Sequence, residues 1–136
     1  MPRVLYSLNS TMRLSKFETT LLTGWEDVYK KAQVSLWILL AVQQNKGFVD
    51  EIRYFMSNQA RLEVAEQSLY RSLRRLESAT MVKSIKVFSP GGPDKKQFHL
   101  TSEGSRVLQA FIIRNIGEIY YRPQVMKVLN TIKEIA

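Results

Sequence analysis

Over residues 25–44 (WEDVYKKAQVSLWILLAVQQ), apolar side chains recur at helical spacing through Val28, Ala32, Leu36, Leu39 and Leu40. With Trp37 beside them, they predict a first core helix. Asn45, Lys46 and Gly47 interrupt the pattern. It restarts over 48–56, where Phe48, Ile52, Phe55 and Met56 lie three or four apart, and predicts a short second helix followed by a connector over 57–64. From Glu66 to Ala79 the period is helical again. At about 100° per residue, Leu69, Leu73 and Leu76 fall within about 60° of one another. Gln67, Ser68, Arg71, Arg74, Arg75 and Ser78 spread over the opposite side, with Tyr70 at the boundary.

After Thr80 the helical period gives way to two short β-rich runs, 82–88 and 95–100, joined by the turn Ser89-Pro90-Gly91-Gly92-Pro93-Asp94. This predicts a hairpin with a basic, glycine-rich tip. Thr101 is placed to cap a further helix whose first turn holds Glu103, a sign that suits the positive end of the helix dipole. Leu108, Phe111, Ile112, Ile116 and Ile119 form one helical stripe, and Val125, Val128, Leu129, Ile132 and Ile135 form another after Pro123. In so short a chain these stripes are expected to pack against a second copy, with Leu108, Phe111, Ile112, Ile116, Ile119, Val125, Leu129 and Ile132 as the dimerisation set. Three regions follow: an N-terminal extension, helical in part, over 1–24; a binding domain over 25–101; and a helical dimerisation region over 102–136. In the extension, Leu5, Leu8, Met12, Phe17, Leu21 and Leu22 are loosely helical in spacing, and a role in wrapping the partner is favoured over a basic arm.

Composition narrows the chemistry. The 136 residues are 45% hydrophobic and 24% charged, a globular balance sized for one domain rather than a multidomain enzyme. The absence of cysteine excludes disulfides, thiolate metal sites and thiol nucleophiles, and favours an intracellular setting. The longest apolar run, Leu36 to Val42, has seven residues against the roughly 20 that span a bilayer, and residues 1–24 lack a signal-type apolar stretch. The expected location is cytoplasmic, at the nucleoid. Net charge is +8, but it is unevenly placed: residues 71–96 hold 7 basic and 2 acidic side chains, whereas residues 1–70 hold 8 and 7. A basic block inside a foldable segment points to a polyanion, because neutralising phosphates releases condensed counterions.

Three helices, the third with an arginine face, followed by a basic hairpin, is the element order of a winged helix-turn-helix. The predicted fold is mainly α with a small β-hairpin, completed by C-terminal dimerisation helices. In this reading the third helix enters the major groove of double-stranded DNA, with Gln67, Ser68, Tyr70, Arg71, Arg74 and Arg75 as its contact set. Gln67, Ser68, Arg71 and Arg74 read base edges. Arg75 binds phosphate, as do the hairpin residues Lys83, Lys86, Gly92, Lys95 and Lys96, which orient the protein more than they specify sequence.

Two runs in this segment resemble the PadR family of transcriptional regulators. One is Ser68-Leu69-Tyr70-Arg71-Ser72-Leu73-Arg74-Arg75-Leu76-Glu77, continuing to Met81-Val82. The other runs Gly91-Gly92-Pro93-Asp94-Lys95-Lys96-Gln97-Phe98-His99-Leu100-Thr101-Ser102-Glu103-Gly104. The likeness spans roughly residues 34–112. It implies a homodimeric winged-helix repressor with C-terminal helical dimerisation and, in many members, release by a small ligand or a change in cell state. By position, Ser68, Tyr70 and Arg71 match the start of the family's recognition helix, and Gly92, Lys95 and Lys96 its wing. Two departures stand out: Thr80 occupies the usual glycine position after the recognition helix, and Ala65 replaces the usual hydroxyl cap. MarR-type regulators share the hairpin and the Leu100-Thr101-Ser102-Glu103-Gly104 pattern and remain a competing assignment.

Catalytic and metal chemistry find no support. The single His99 lies in the returning strand, on the face opposite Phe98 and Leu100, and Asp50 and Glu51 have no histidine or cysteine to complete a metal set. Neither a Walker-type loop nor a dinucleotide fingerprint occurs. No cofactor and no membrane partner are expected. Trp25 and Trp37 are read as core aromatics in preference to the walls of an effector cavity. The functional expectation is a sequence-specific DNA-binding regulator, a repressor acting as a homodimer on an inverted repeat. The rival is a winged helix that binds DNA non-specifically in plasmid, virus or chromosome maintenance.

Overall fold

The computed structural model describes residues 12–135, the last three by backbone alone, so expectations for Leu5, Leu8 and the Ile135 side chain fall outside what is described. The elements run α1 (Lys16–Gln43), α2 (Val49–Ala60), α3 (Glu66–Ser78), β1 (Val82–Val87), β2 (Lys95–Leu100) and α4 (Ser102–Ile112). A π-helical turn (Ile113–Gly117), the three-residue α5 (Glu118–Tyr120) and α6 (Pro123–Ile135) follow. The chain divides into two compact units: one is Asp27–Leu108, the other the segments on either side of it. Among the described residues no helix is long and apolar enough to cross a membrane.

The unit Asp27–Leu108 holds the core. Ile38, Leu39, Ala41 and Val42 from α1, Ile52 and Met56 from α2, and Leu69, Leu73 and Leu76 from α3 are buried with Val82, Phe98 and Leu108. Trp37 and Phe55 pack against one another with ring centroids 6.3 Å apart, which gives Trp37 a packing role. Two hydrogen-bonded devices and one close approach set the turns of this unit. Asn45, in the left-handed region at φ 62°, closes α1 as the Lys46 N–H donates to the Ala41 carbonyl and the Asn45 N–H to that of Val42. Thr101 caps α4: its Oγ1 accepts from the Gly104 N–H at 2.9 Å and donates to the Thr80 carbonyl at 2.5 Å. Gly104 is needed where it stands, because a Cβ there would lie 1.9 Å from the Met81 carbonyl oxygen. These contacts explain the Leu-Thr-x-x-Gly run physically: a hydroxyl closes the helix start while a missing side chain lets the preceding turn approach.

The structure corrects several sequence expectations. The first helix starts at Lys16 rather than near residue 25, because Ser15 and Glu18 form a reciprocal capping box. The Ser15 N–H donates to Glu18 Oε1 at 2.8 Å, and the Glu18 N–H to Ser15 Oγ at 3.1 Å. The first half of the apolar stripe is not core: Trp25 is 73% exposed, and Val28 and Ala32 are exposed too. The second helix continues through Ser57, Asn58, Gln59 and Ala60, beyond the connector the pattern predicts, and stops only where Arg61 turns left-handed at φ 51°. The Lys30 ammonium donates to the Arg61 carbonyl at 3.2 Å and satisfies that end.

In the second unit the continuous helical stripe expected over 108–119 is interrupted. At the π-helical turn Ile113–Gly117, the Asn115 amide donates to the Phe111 carbonyl at 3.1 Å and competes for the helical ladder. Of the expected dimerisation set, Phe111, Ile119 and Ile132 are exposed, while Ile112, Ile116, Val125 and Leu129 are half-buried. Leu108 departs from that set, since it is buried in the core of its own chain and has no free surface to offer a partner.

Candidate nucleic-acid interface

Helix α3 is polarised by its sequence. Leu69 and Leu73 are completely buried and Leu76 nearly so, which anchors one face and presents Gln67, Arg71, Arg74 and Arg75 to solvent, with Ser68 half-buried beside them. Ser68 Oγ accepts from the Arg71 guanidinium at 3.0 Å, one helical turn apart, so this arginine is oriented along the helix rather than left free. The helix begins at Ala65 with no side-chain cap, as its sequence predicts. It ends in a Schellman closure, with the Met81 N–H donating to the Leu76 carbonyl at 2.9 Å and the Thr80 N–H to the Glu77 carbonyl at 3.0 Å. Thr80 takes the left-handed conformation, at φ 62°, that glycine would adopt without strain. Glu77 Oε2 accepts from the Ser84 hydroxyl at 2.8 Å and links the helix to β1.

The hairpin is antiparallel, with Val82 opposite Leu100, Ser84 opposite Phe98, and Lys86 opposite Lys96. Because side chains alternate between faces, the Lys86–Lys96 pair continues the face that buries Val82 and Phe98, whereas Lys83 and Lys95 lie on the other. The four hairpin lysines are thus divided between two faces, a split that composition does not reveal. Like charges directly opposite one another oppose pairing, so the hairpin carries its cations at a cost to itself. The tip is a type II turn: Pro90 stands at its second position, Gly91 at its third with φ 79°, and the Gly92 N–H donates to the Ser89 carbonyl at 3.2 Å. At the base, Gly47 lies against β2, its carbonyl accepting from the Phe98 N–H at 2.9 Å. A Cβ at Gly47 would meet the Phe98 carbonyl oxygen at 2.3 Å.

Recognition helix and wing meet around a groove of about 700 Å³ bounded by α3, the start of α2 and the start of β2. Tyr70 and Arg74 line it from α3, and Lys95 and Lys96 from the wing. Arg71, Arg75, Gln67 and Gly92 do not line this groove, so the expected contact set is divided. The sequence reading missed the carboxylates in the same walls: Asp50, Glu66, Glu77 and Asp94. Glu66 accepts from Arg53 at 3.5 Å in an exposed pair, whose contribution to stability is small. The groove is therefore of mixed sign, whereas the Arg71 and Arg75 side of α3 is basic. Past the wing, Glu103 sits in the first turn of α4, where its own backbone N–H, the Ser102 hydroxyl and, more weakly, Arg106 hold its carboxyl below the ordinary value.

The family model described as the transcriptional regulator PadR-like family matches residues 38–110, more than half of the chain. Among solved structures, a PadR-like transcription factor from Bacteroides fragilis is 23% identical, with a TM-score of 0.57 over 83% of this chain and 99% of that one. A PadR-like transcriptional regulator from Bacillus cereus is 22% identical, with a TM-score of 0.57 over 75% and 92%. A PadR family transcriptional regulator from Eggerthella lenta is 16% identical, with a TM-score of 0.59 over 79% and 98%. At these identities the structures show a common fold. No curated protein matches the chain.

Proposed function

The chain belongs to the PadR-like family of transcriptional regulators, and on that premise we propose that it is a repressor that binds an inverted-repeat operator as a homodimer. DNA-binding transcription regulation follows from the family; the dimer, the operator and the direction of control are the proposal. The observation that carries it is the exposed arginine face of α3, anchored by buried Leu69 and Leu73 and followed directly by a lysine-bearing hairpin.

Helix α3 enters the major groove and reads base edges through Gln67, Ser68, Arg71 and Arg74, with Tyr70 at the rim. Arg75, Lys83, Lys86, Lys95, Lys96 and the backbone at Gly92 hold phosphates. Exposed Phe111, Ile119 and Ile132 support a second copy as the partner of the C-terminal helices. A helix-turn-helix dimer places its half-sites about 34 Å apart. The protein acts on the nucleoid in the cytoplasm, and its family likeness implies release by a small-molecule effector or a change in cell state. Selection of bound duplexes from a random library at about 150 mM salt tests the proposal. An inverted repeat preferred by about 10³-fold over random DNA is expected. Weak binding that is uniform across sequences and collapses with salt would leave only electrostatic affinity.

A further inference from the structure

We propose that Phe88 is a wedge: when the wing meets a duplex, its phenyl ring inserts between two base pairs from the minor groove and opens that step. The inference rests on the DNA-binding reading and adds to it a deformation of the DNA. Phe88 is 78% exposed, more than any other large apolar side chain among the described residues. It borders a cleft of about 280 Å³ next to Phe48 and the start of α2, yet it remains in solvent instead of filling it. A phenyl ring left in water forfeits most of its burial free energy, so a partner that covers it regains that term.

The surroundings identify the partner. Phe88 is the first residue beyond the ladder, whose last two rungs pair Lys86 with Lys96 and Val87 with Lys95. Lys86 and Lys96 therefore stand on one face of the hairpin just before the ring and Lys95 on the other, so cations flank its base on both faces. Such a patch repels itself, and an apolar protein groove would not relieve it. The phosphates flanking a base step would, while the space between unstacked bases accepts the ring. The rest of the tip suits insertion: the type II turn at Ser89–Gly92, fixed by Pro90 and left-handed Gly91, holds Phe88 on a stiff base. Apolar wedges of this kind kink DNA toward the major groove in exchange for a few kcal/mol of lost stacking. Flexible pyrimidine–purine steps open with least resistance, so a TA or CA step is expected under each wing.

The test compares the full chain with F88A and F88L on the tightest duplex recovered from a random library, using permanganate reactivity of thymines and end-to-end fluorescence transfer. Because the ring is exposed, both variants are expected to melt with the parent protein, which a thermal scan checks. The parent and F88L should give one hyperreactive step beneath each wing and a bent duplex. F88A should lose both and bind about tenfold more weakly, recovering on a duplex with a mismatch built into that step. A parent protein that binds the selected duplex tightly without a hyperreactive step overturns the wedge while leaving the DNA-binding reading intact. An F88A variant with unchanged pattern and affinity does the same, as does one that alters only self-association. Failure of the parent to prefer any duplex overturns both.

Discussion

Thr80 ends the recognition helix in a conformation that disfavours it. A β-branched residue at φ 62° is strained, by about 1–3 kcal/mol for a non-glycine residue in the left-handed region. The Schellman bonds and the Thr101 hydroxyl on the Thr80 carbonyl hold it there. Glycine would relieve the strain and give back roughly 0.5–1 kcal/mol as unfolded-state entropy. T80G should therefore be more stable by about 1 kcal/mol, a rise of about 4 °C in thermal unfolding, and T80A should gain less. A lower melting temperature for T80G would contradict the strain argument. Two carboxylates carry a pH dependence of defined sign. Glu18 is held below its ordinary value by its bonds with Ser15, and Glu103 by its own N–H and Ser102. Their stabilisation is complete above the ordinary glutamate value of the unfolded chain and is lost as pH falls through the lower folded value. NMR titration should find both midpoints below those of free glutamate, and E103Q should remove its share of the acid response. Thr80 was legible in the sequence as a departure from glycine, and Ala65 as a missing cap. The Ser15–Glu18 box is equally legible as Ser-x-x-Glu, but apolar spacing, which sets the expected start near residue 25, carries no signal for it.

In the hairpin, local stability and the proposed DNA contact pull in opposite directions. Lys86 and Lys96 face one another directly across the two strands. Substituting Lys86 by Glu converts repulsion into attraction and should stabilise the hairpin by about 0.2–1 kcal/mol. The same change removes a cation from the DNA side, so affinity should fall and the salt dependence should shallow by about one phosphate contact. Thermal unfolding and binding across a salt series read the two effects on one variant. A K86E protein that binds DNA as tightly as the parent would remove this face of the wing from the interface. The strands, the tip and α3 were all readable from local pattern, since alternation, a Pro-Gly-Gly turn and a leucine stripe are short-range signals. The π-helical turn was not. One extra residue in the ladder leaves Ile112, Ile116 and Ile119 at spacings that an uninterrupted helix would also produce, so only the Asn115 bond to the Phe111 carbonyl marks it.

At the scale of the whole molecule, local pattern and three-dimensional arrangement diverge most around the groove. Its carboxylates come from α2 (Asp50), α3 (Glu66 and Glu77) and the hairpin turn (Asp94), and no periodicity in the chain announces that they meet. They offset Arg53, Arg74, Lys95 and Lys96 in the same walls, so under the proposed reading the Arg71 and Arg75 side of α3 carries the larger share of the attraction for DNA. The PadR-like family assignment covers 38–110; the exposed aromatics of α1, Phe17, Trp25 and Tyr29, lie before it. The central claim is that α3 reads sequence, and Arg71 tests it most directly. Affinities of the parent protein and R71A should be measured, across a salt series, for the selected inverted repeat and for random duplex. R71A should lose about 1–3 kcal/mol on the repeat and little on random DNA. An equal loss on both would make Arg71 a phosphate contact and contradict the account.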